Sequence, residues 1–344
     1  ALETCKDSIS FVSNSIFSSI LMCKLSFCAT KLHKKMYLCH MNTHEFKEKV
    51  ADYIRHHELV RAGDNVVVAL SGGGDSVALL HALLSLNIKC SALHCNFGLR
   101  GAESDRDESF VRNLCDSLGV ALKVEHFDVP AYEQKHKVST EMACRELRYA
   151  WFEQERLAIG AKYIAVAHHH DDNVETFFLN MLRGTGIQGL SGIKPKNGNI
   201  IRPLLCVSRK EVEDYLKACG LSYVVDSTNL ENDFKRNKIR NVLIPAFKDL
   251  FPNFETGIAR TLDNLQGCAD FYRYSVEQLK QKCVDDSDKR AVKVSLRPLR
   301  DVTEGRETAF FEIMKDFGFN SDQSREMYDA VAKNDGVGNR CISK

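Results

Sequence analysis

The first stretch whose residues could carry chemistry is Ser71-Gly72-Gly73-Gly74-Asp75-Ser76, which follows three consecutive valines at 66–68. The valines are β-branched and predict a buried strand, whereas the apolar run after Ser76 predicts a helix. A glycine-rich turn from strand to helix presents backbone N–H groups in a concave surface, and the helix N-terminus adds positive potential. The stretch therefore predicts a phosphate-binding loop.

Two common phosphate loops are excluded by the residues around these glycines. No lysine follows as in G-x-x-x-x-G-K-[ST], and the G-x-G-x-x-G pattern with a later acidic residue is absent. Asp75 is unexpected beside phosphates because like charges repel, unless Mg²⁺ lies between them. We therefore expect Asp75 to hold a Mg²⁺ ion. An ordinary tight turn is the alternative, which the three glycines and Asp75 disfavour.

A second polar stretch, His-His-His-Asp-Asp-Asn-Val-Glu-Thr at 168–176, follows another predicted strand. Zinc is disfavoured because three consecutive histidines point in different directions, whereas zinc ligands converge. A structural alternative is a helix that starts at Asp172, with Glu175 closing a capping box. The carboxylates could also bind Mg²⁺ and attract an ammonium group, so Asp172 is a second candidate metal ligand.

Basic residues form two further candidate sites. Arg145 and Arg148 lie one turn apart on a predicted helix, where they either form an exposed salt-bridged face with Glu141 or bind phosphate. Residues 235–240 carry four basic side chains in six positions, which indicates either a solvated helix start or binding to RNA phosphates. The candidate RNA contacts are Arg183, Lys235, Arg236 and Arg240.

Strands and helices alternate along the chain, which predicts an α/β fold with a doubly wound parallel sheet. The predicted strands cover residues 65–70, 88–95, 121–127 and 163–168, and the predicted helices cover 76–86, 104–118, 139–160 and 172–184. Each polar stretch comes directly after a strand, including "HCNFGLRG" after the second. Ligands bind at the carboxyl ends of such strands, so we expect these stretches to meet at one edge.

Composition limits the class of protein. The 344 residues are 44% hydrophobic and 27% charged with a formal net charge of +1, so charge neither requires nor excludes a nucleic-acid partner. Thirteen cysteines without a Cys-x-x-Cys pair, and no clear secretory signal, predict reduced thiols in the cytoplasm. We expect no membrane span, because no run of 18 apolar residues occurs.

Four regions are expected from the patterning. Residues 1–40 are expected to be a disordered or non-native leader, and 41–230 an α/β domain that contains the phosphate-binding loop. Residues 231–283 are expected to be a helical region or linker that contains the basic segment 235–240. Residues 284–344 are expected to be a partial C-terminal domain.

The motifs together resemble a known family. "SGGGDS" after "VVVAL" is similar to the SGG-x-DS loop of the N-type ATP pyrophosphatases, or PP-loop superfamily. Over residues 45–260 the chain looks like the tRNA(Ile)-lysidine synthetases. The blocks that carry this likeness are "LHCNFGLRGAESDRDESFV", "EMACRELRYAWF", "AVAHHHDDNVETFFLNMLRGTGIQGL", "IRPLL" and "DSTNLENDFKRNKIRNVLIPAF".

The resemblance implies that 41–230 is a catalytic, ATP-binding PP-loop domain of the adenine nucleotide alpha hydrolase-like type, followed by a smaller, mainly helical domain. It implies that 231–283 binds tRNA or serves as a linker. It implies ATP and Mg²⁺ as cofactors, and attachment of free lysine to the wobble cytidine of tRNA(Ile) with a CAU anticodon through an adenylated cytidine. The implied nucleotide-binding residues are Ser71, Gly72, Gly73, Gly74, Asp75, Ser76 and His94. The implied catalytic residues are Asp75, Arg148, Asp172 and Glu175, with Asp75 and Asp172 on the metal.

Two alternatives stay open from the sequence. A tRNA cytidine thiolase uses the same adenylation, but such enzymes usually need paired cysteines for a metal–sulfur cluster, and this chain has no Cys-x-x-Cys. A truncated chain that binds ATP or tRNA without turnover is the second alternative. The oligomeric state is left open, with a homodimer as one option.

Overall fold

The computed structural model describes residues 43–225, 234–285, 287 and 292–333, and their side chains except at 234–235 and 331–333. The predicted leader, the 226–233 part of the "DSTNLEND" motif and residues 334–344 lie outside the described residues. The chain divides into two compact units. The first takes residues up to Leu179 together with Ile193–Ala246, and the second takes Asn180–Gly192 together with Phe247–Lys344.

The first unit is built on a six-stranded sheet with the order β3-β2-β1-β4-β6-β5. All neighbouring pairs are parallel except β5 with β6, which form a short antiparallel hairpin. The strands are β1 (Asn65–Ala69), β2 (Lys89–Asn96), β3 (Leu122–His126), β4 (Tyr163–Ala165), β5 (Lys196–Asn197) and β6 (Ile200–Ile201).

Helices cover both faces of this sheet. Alternation along β1 sends Val66 and Val68 to one face and Val67 to the other, and each face has its own buried apolar cluster. Burial on both sides explains why β1 is a continuous apolar run. The helices are α1 (43–56), α2 (Gly74–Ser85), α3 (Ala102–Leu118), α4 (Val129–His136), α5 (Thr140–Ile159), α6 (His170–Leu182), α8 (Arg209–Cys219), α9 (Phe234–Lys238) and α10 (Ile244–Leu250), and α7 (Ile187–Leu190) lies in the second unit.

The strand order reverses between β1 and β4. From β1 the chain continues through α2 to β2 on one side, whereas β4 pairs with β1 on the other side. Ligands bind at such a switch point, outside the carboxyl ends of the two strands. The Ser71–Ser76 loop follows β1 and the 168–176 stretch follows β4, so the fold brings these two polar stretches to the same place.

The second unit is mainly helical. Its longest helix is α11 (Phe254–Cys283), followed by a two-stranded hairpin of β7 (Val284–Asp285) and β8 (Lys293–Val294), then α12 (Arg306–Met314) and α13 (Ser321–Lys333). A buried cluster around Leu299, Phe310 and Ile313 forms its core. No helix in the described part of the chain is long and apolar enough to cross a membrane.

The predicted fold class is confirmed, and local predictions are corrected in three places. A helix is missing from the predictions at α4, although Asp128 caps it and Pro130 lies in its first turn. Helix α3 starts at Ala102, two residues before the predicted start at 104. Strand β4 ends at Ala165, three residues before the predicted end, because the chain leaves the sheet towards the site.

Candidate active site at the switch point

The Ser71–Ser76 loop is held by hydrogen bonds among its own residues. The Gly73 N–H donates to Ser71 Oγ at 3.3 Å, and Ser76 Oγ donates to the Gly73 carbonyl at 2.9 Å. Gly72 has φ +90°, and a Cβ there would lie 3.2 Å from Val111 Cγ2. Helix α2 begins at Gly74, so its first N–H groups, which have no intrahelical partner, face the end of β1.

A cavity of about 600 Å³ opens over this loop. Its walls come from the ends of β1, β2 and β4 and from α5. Serine hydroxyls, two carboxylates, three guanidinium groups and two imidazoles line it together with apolar side chains. The polar lining residues used below are Ser71, Asp75, His94, Arg145, Arg148 and His168.

Two carboxylates from the two polar stretches meet at one imidazole. His169 Nε2 lies 3.7 Å from Asp75 Oδ2 and 3.6 Å from Asp172 Oδ2, and the His169 side chain is buried. Burial raises the pKa of Asp75 above its ordinary value, and the negative charge of Asp172 adds to the increase while His169 opposes it. A pair of carboxylates with this mutual repulsion fits a divalent cation between them.

The capping arrangement of α6 differs from the prediction by three residues. The His169 N–H donates to Asp172 Oδ2 at 3.1 Å, and the Asp172 N–H donates to His169 Nδ1 at 3.4 Å. His169 and Asp172 therefore cap each other, and the predicted pair of Asp172 with Glu175 is wrong. Asp171 turns to another helix, where its Oδ2 accepts the backbone N–H of Arg209 at 2.8 Å.

Glu175 is fully buried and neutralised by two arginines that are distant in the chain. Arg240 Nε donates to Glu175 Oε1 at 2.6 Å, and Arg236 Nε donates to Oε2 at 3.0 Å. Arg240 Nη2 also lies 3.8 Å from Asp172 Oδ1. Two of the candidate RNA contacts are therefore engaged with the carboxylates of the site.

The other two candidate RNA contacts lie elsewhere. Lys235 belongs to α9, and its side chain is outside the described residues. Arg183 is exposed just after α6, in the stretch assigned to the second unit. Their role in RNA binding stays a prediction.

Both arginines of α5 that line the cavity rest on aromatic faces. The Arg148 guanidinium carbon lies 5.3 Å from the centre of the Phe97 ring, and that of Arg145 lies 5.1 Å from the centre of the Tyr149 ring. Neither arginine forms an ion pair with an acidic side chain among the described residues, so the expected salt bridges to Glu141 are not formed there. Cation–π contacts leave the guanidinium N–H donors available to an anion.

Three residues of this region were not selected from the sequence. His169 was treated only as one of three histidines, and Phe97 carried no polar signal. Arg202 is the third of these residues: it is buried, and its Nε donates to His168 Nδ1 at 3.3 Å. Its position inside the apolar run "IIRPLL" is the one sequence feature that indicates a buried arginine, which would then need a hydrogen-bonding partner.

Comparison with known proteins adds the family. A model described as the PP-loop domain matches residues 42–247, which include the whole cavity lining. The chain belongs to the PP-loop family. Among solved structures, the U34-tRNA thiolase NcsA from Methanococcus maripaludis, described with its [4Fe-4S] cluster, is 21% identical with a TM-score of 0.56. That likeness covers 67% of this chain and 80% of the thiolase, and it concerns the fold.

Curated sequences give a closer likeness for this PP-loop protein. It is 42% identical to the tRNA(Ile)-lysidine synthase of Bacteroides thetaiotaomicron over 285 residues, which cover 83% of this chain and 66% of that enzyme. It is 44% identical to the tRNA(Ile)-lysidine synthase of Parabacteroides distasonis over 284 residues, which cover 83% and 64%. The chain thus spans slightly less than two thirds of the length of these relatives.

Proposed function

We propose that this protein is a tRNA(Ile)-lysidine synthase, which uses ATP to join free lysine to the wobble cytidine of tRNA(Ile) with a CAU anticodon. The observation that carries the proposal is the meeting of the Ser71–Ser76 loop with Asp172 at the β1–β4 switch point. The relatives with this name support the choice of substrates. The reaction is assigned to the cytoplasm, as the cysteine composition predicts.

The reaction has two steps. The O2 atom of cytidine attacks the α-phosphorus of ATP, which forms an adenylated base and releases pyrophosphate. The ε-amine of lysine then attacks C2 of the ring, the C2–O bond breaks, and AMP leaves with the oxygen. One ATP and one lysine are consumed, and the amine loses its protons to a base or to water.

The loop binds the leaving pyrophosphate in this proposal. The N–H groups at the start of α2 supply donors fixed before the reaction, which lowers the cost of stabilising new negative charge. The hydroxyls of Ser71 and Ser76 bond within the loop and hold its shape around the pyrophosphate. Arg148, held over Phe97, is suited to a phosphoryl oxygen. His94 is assigned to the adenosine part.

Asp75 and Asp172 are the residues that would hold Mg²⁺. Mg²⁺ sites commonly use one or two carboxylates together with substrate phosphates, and the repulsion that raises the pKa of Asp75 fits such an ion. When bound, Mg²⁺ would offset the negative charge of the phosphates.

Asp172 and Glu175 of α6 receive different roles. Both oxygens of Glu175 accept hydrogen bonds from Arg236 or Arg240, so its negative charge is already compensated. Asp172 is partly exposed, with only a 3.8 Å ion pair to Arg240 beside its contacts with His169. We therefore assign Asp172 to the lysine amine as well as the metal, and Glu175 to anchoring the basic segment 236–240.

The first test is a product assay. The protein is incubated with ATP, Mg²⁺, lysine and the CAU-anticodon tRNA(Ile). The tRNA is then digested to nucleosides, and their masses are measured. The expected product is a cytidine heavier by one lysine minus one water. The same tRNA with a CAU-to-GAU change is the control, because it lacks the target cytidine.

A tRNA cytidine thiolase is the second candidate, favoured only by the fold of the solved thiolase. Across the described ranges, no three His, Cys, Asp or Glu side chains are grouped so as to hold a metal ion. The same product assay with a sulfur donor in place of lysine distinguishes the two functions. A thiolated cytidine would overturn the lysidine proposal, and no ATP cleavage with either donor would favour an inactive fragment.

A further inference from the structure

Arg202 is a buried arginine held rigidly beside the cavity. Its backbone N–H donates to the Pro195 carbonyl at 2.9 Å, and its Nη1 donates to the Lys194 carbonyl at 2.8 Å. The side chain has little freedom, because the residue is 8% exposed and both ends of it are bonded. Its Nε then donates to Nδ1 of His168 at 3.3 Å.

This contact fixes the proton of His168. Arginine N–H groups only donate, so His168 Nδ1 must accept and the proton of the neutral ring lies on Nε2. Burial lowers the pKa of His168 to about 4, Asp172 opposes the decrease, and the positive charge of Arg202 adds to it. At neutral pH His168 therefore carries no charge and offers Nε2–H as a donor.

His94 has the opposite arrangement in the same cavity. Its Nδ1 lies 2.8 Å from the Leu70 carbonyl oxygen, which only accepts, so the proton lies on Nδ1. Burial lowers the pKa of His94 as well. The remaining nitrogen, Nε2, carries a lone pair, and no described residue donates to it.

We propose that the cavity holds its two histidines in opposite tautomers, with His168 a fixed donor and His94 a fixed acceptor for the substrate, and that Arg202 is the positioning residue for His168. Serine hydroxyls and three guanidinium groups line the same cavity, so His168 is suited to a phosphoryl oxygen. The lone pair of His94 is suited to an N–H or O–H group of the nucleoside. The identity of these ligands rests on the proposed function, whereas the tautomers are properties of the chain alone.

The first experiment needs no substrate. Long-range ¹H–¹⁵N NMR spectra of protein labelled with ¹⁵N-histidine distinguish protonated from unprotonated ring nitrogens. At pH 7 we expect His168 to show an unprotonated Nδ1 and a protonated Nε2, and His94 the reverse. Signals are assigned with His168→Gln and His94→Gln variants. A protonated His168 Nδ1, or the same tautomer in both rings, would overturn the proposal.

A pair of variants tests the donor in catalysis. The glutamine amide reaches the position of imidazole Nε2, whereas the asparagine amide reaches only that of Nδ1. We expect His168→Gln to keep kcat/KM for ATP within about tenfold, and His168→Asn to lose 10²–10³-fold, the usual loss when one fixed donor is removed. His126→Gln, at an exposed ring outside the cavity lining, is the control and should stay unchanged. Equal losses in both His168 variants would contradict a donor role.

Arg202 is tested by Arg202→Met and Arg202→Lys. The charged groups around His168 are Asp172, His169, Arg202 and Arg236, so removal of the Arg202 charge leaves Asp172 to favour a protonated ring. We expect Arg202→Met to lose kcat/KM at pH 7, where the neutral ring is no longer held in one tautomer, and to recover part of it at lower pH, where the protonated ring donates from both nitrogens. The NMR spectrum at pH 7 should lose the fixed tautomer. Arg202→Lys should restore both in part. A folded Arg202→Met protein with an unchanged His168 spectrum would overturn the positioning role.

The two proposals fail in different ways. If the protein makes no lysidine but the spectra show the opposite tautomers, the proposed function fails and the inference about the chain stands. If lysidine forms while both rings have the same tautomer, the function stands and the inference fails.

Discussion

The stretches after β1 and β4 reach the same cavity with different chemistry. The Ser71–Ser76 loop acts through its backbone, and the hydrogen bonds of its serine side chains join residues at most five positions apart. The 168–176 stretch acts through side chains, and its partners come from far along the chain. Asp171 bonds to Arg209, His168 to Arg202, and Glu175 to Arg236 and Arg240.

This difference separates features that can be identified from a short stretch of sequence from features that depend on residues far along the chain. A loop whose geometry depends on missing Cβ atoms can be identified locally, because glycine is the residue that tolerates φ +90° at Gly72. The role of a carboxylate depends on which cation the fold places beside it. Three acidic side chains within five residues therefore have three different sets of partners: Asp171 accepts the Arg209 N–H at the start of α8, Asp172 contacts His169, and Glu175 pairs with Arg236 and Arg240.

The largest expected effect is at Asp75, where the two stretches meet. Asp75→Asn keeps the shape but removes the charge proposed to hold Mg²⁺, so tRNA-dependent pyrophosphate release should fall on the order of 10³-fold. Asp116→Asn, at an exposed site on α3, is the matched control. Turnover within tenfold of the unchanged protein, at the same Mg²⁺ dependence, would remove Asp75 from the metal site.

Glu175→Gln tests the distant partners of the second stretch. Removal of the buried charge leaves Arg236 and Arg240 unpaired, but both are about one-third exposed, so water offsets part of the loss. The free energy of unfolding should fall by roughly 2–3 kcal/mol, below the full cost of breaking a buried pair. Urea unfolding measures it. Glu213→Gln, in an exposed pair with Arg209, should cost under about 1 kcal/mol, and equal costs would contradict the anchoring role.

Gly72→Ala and Gly73→Ala test the backbone of the first stretch. At Gly72 the added Cβ meets Val111 at φ +90°, so the free energy of unfolding should fall by about 1–3 kcal/mol. At Gly73 the backbone is extended with φ −69°, and the nearest atom is Ser71 Oγ at 3.5 Å. Gly73→Ala should therefore stay within about 0.5 kcal/mol of the unchanged protein. Thermal unfolding of both variants measures the difference in stability, and equal unfolding midpoints would contradict this prediction.

The smallest expected effect is at Asp171. Asp171→Ala removes the acceptor for the Arg209 N–H at the start of α8, which should cost about 1 kcal/mol. Asp171→Asn keeps an acceptor oxygen and should cost little. Lysidine formation should be retained in both variants. A large loss of activity with normal stability would instead place Asp171 in the site beside Asp172.

Much of the architecture could be predicted from local patterns. The apolar run at 66–68 predicted β1, because a strand covered on both faces is apolar throughout. Glycines at 119, 160 and 220 marked helix ends, and each adopts the left-handed conformation there. Helix α4 was missed, although Asp128 and Pro130 signalled its start. The predicted boundaries of the four regions remain predictions.

The sequence by itself determined the α/β class, the phosphate-type loop at Ser71–Ser76 and the edge of the sheet where polar residues gather. These follow from backbone conformation and from an alternation of strands and helices, both of which act over short distances along the chain. The tertiary structure alone decided which carboxylate meets Asp75 at His169, which arginines neutralise Glu175, and which nitrogen of His168 carries the proton. Those properties depend on charges brought together from positions more than 30 residues apart, where burial makes each pairing strong and the chain gives no local sign of it.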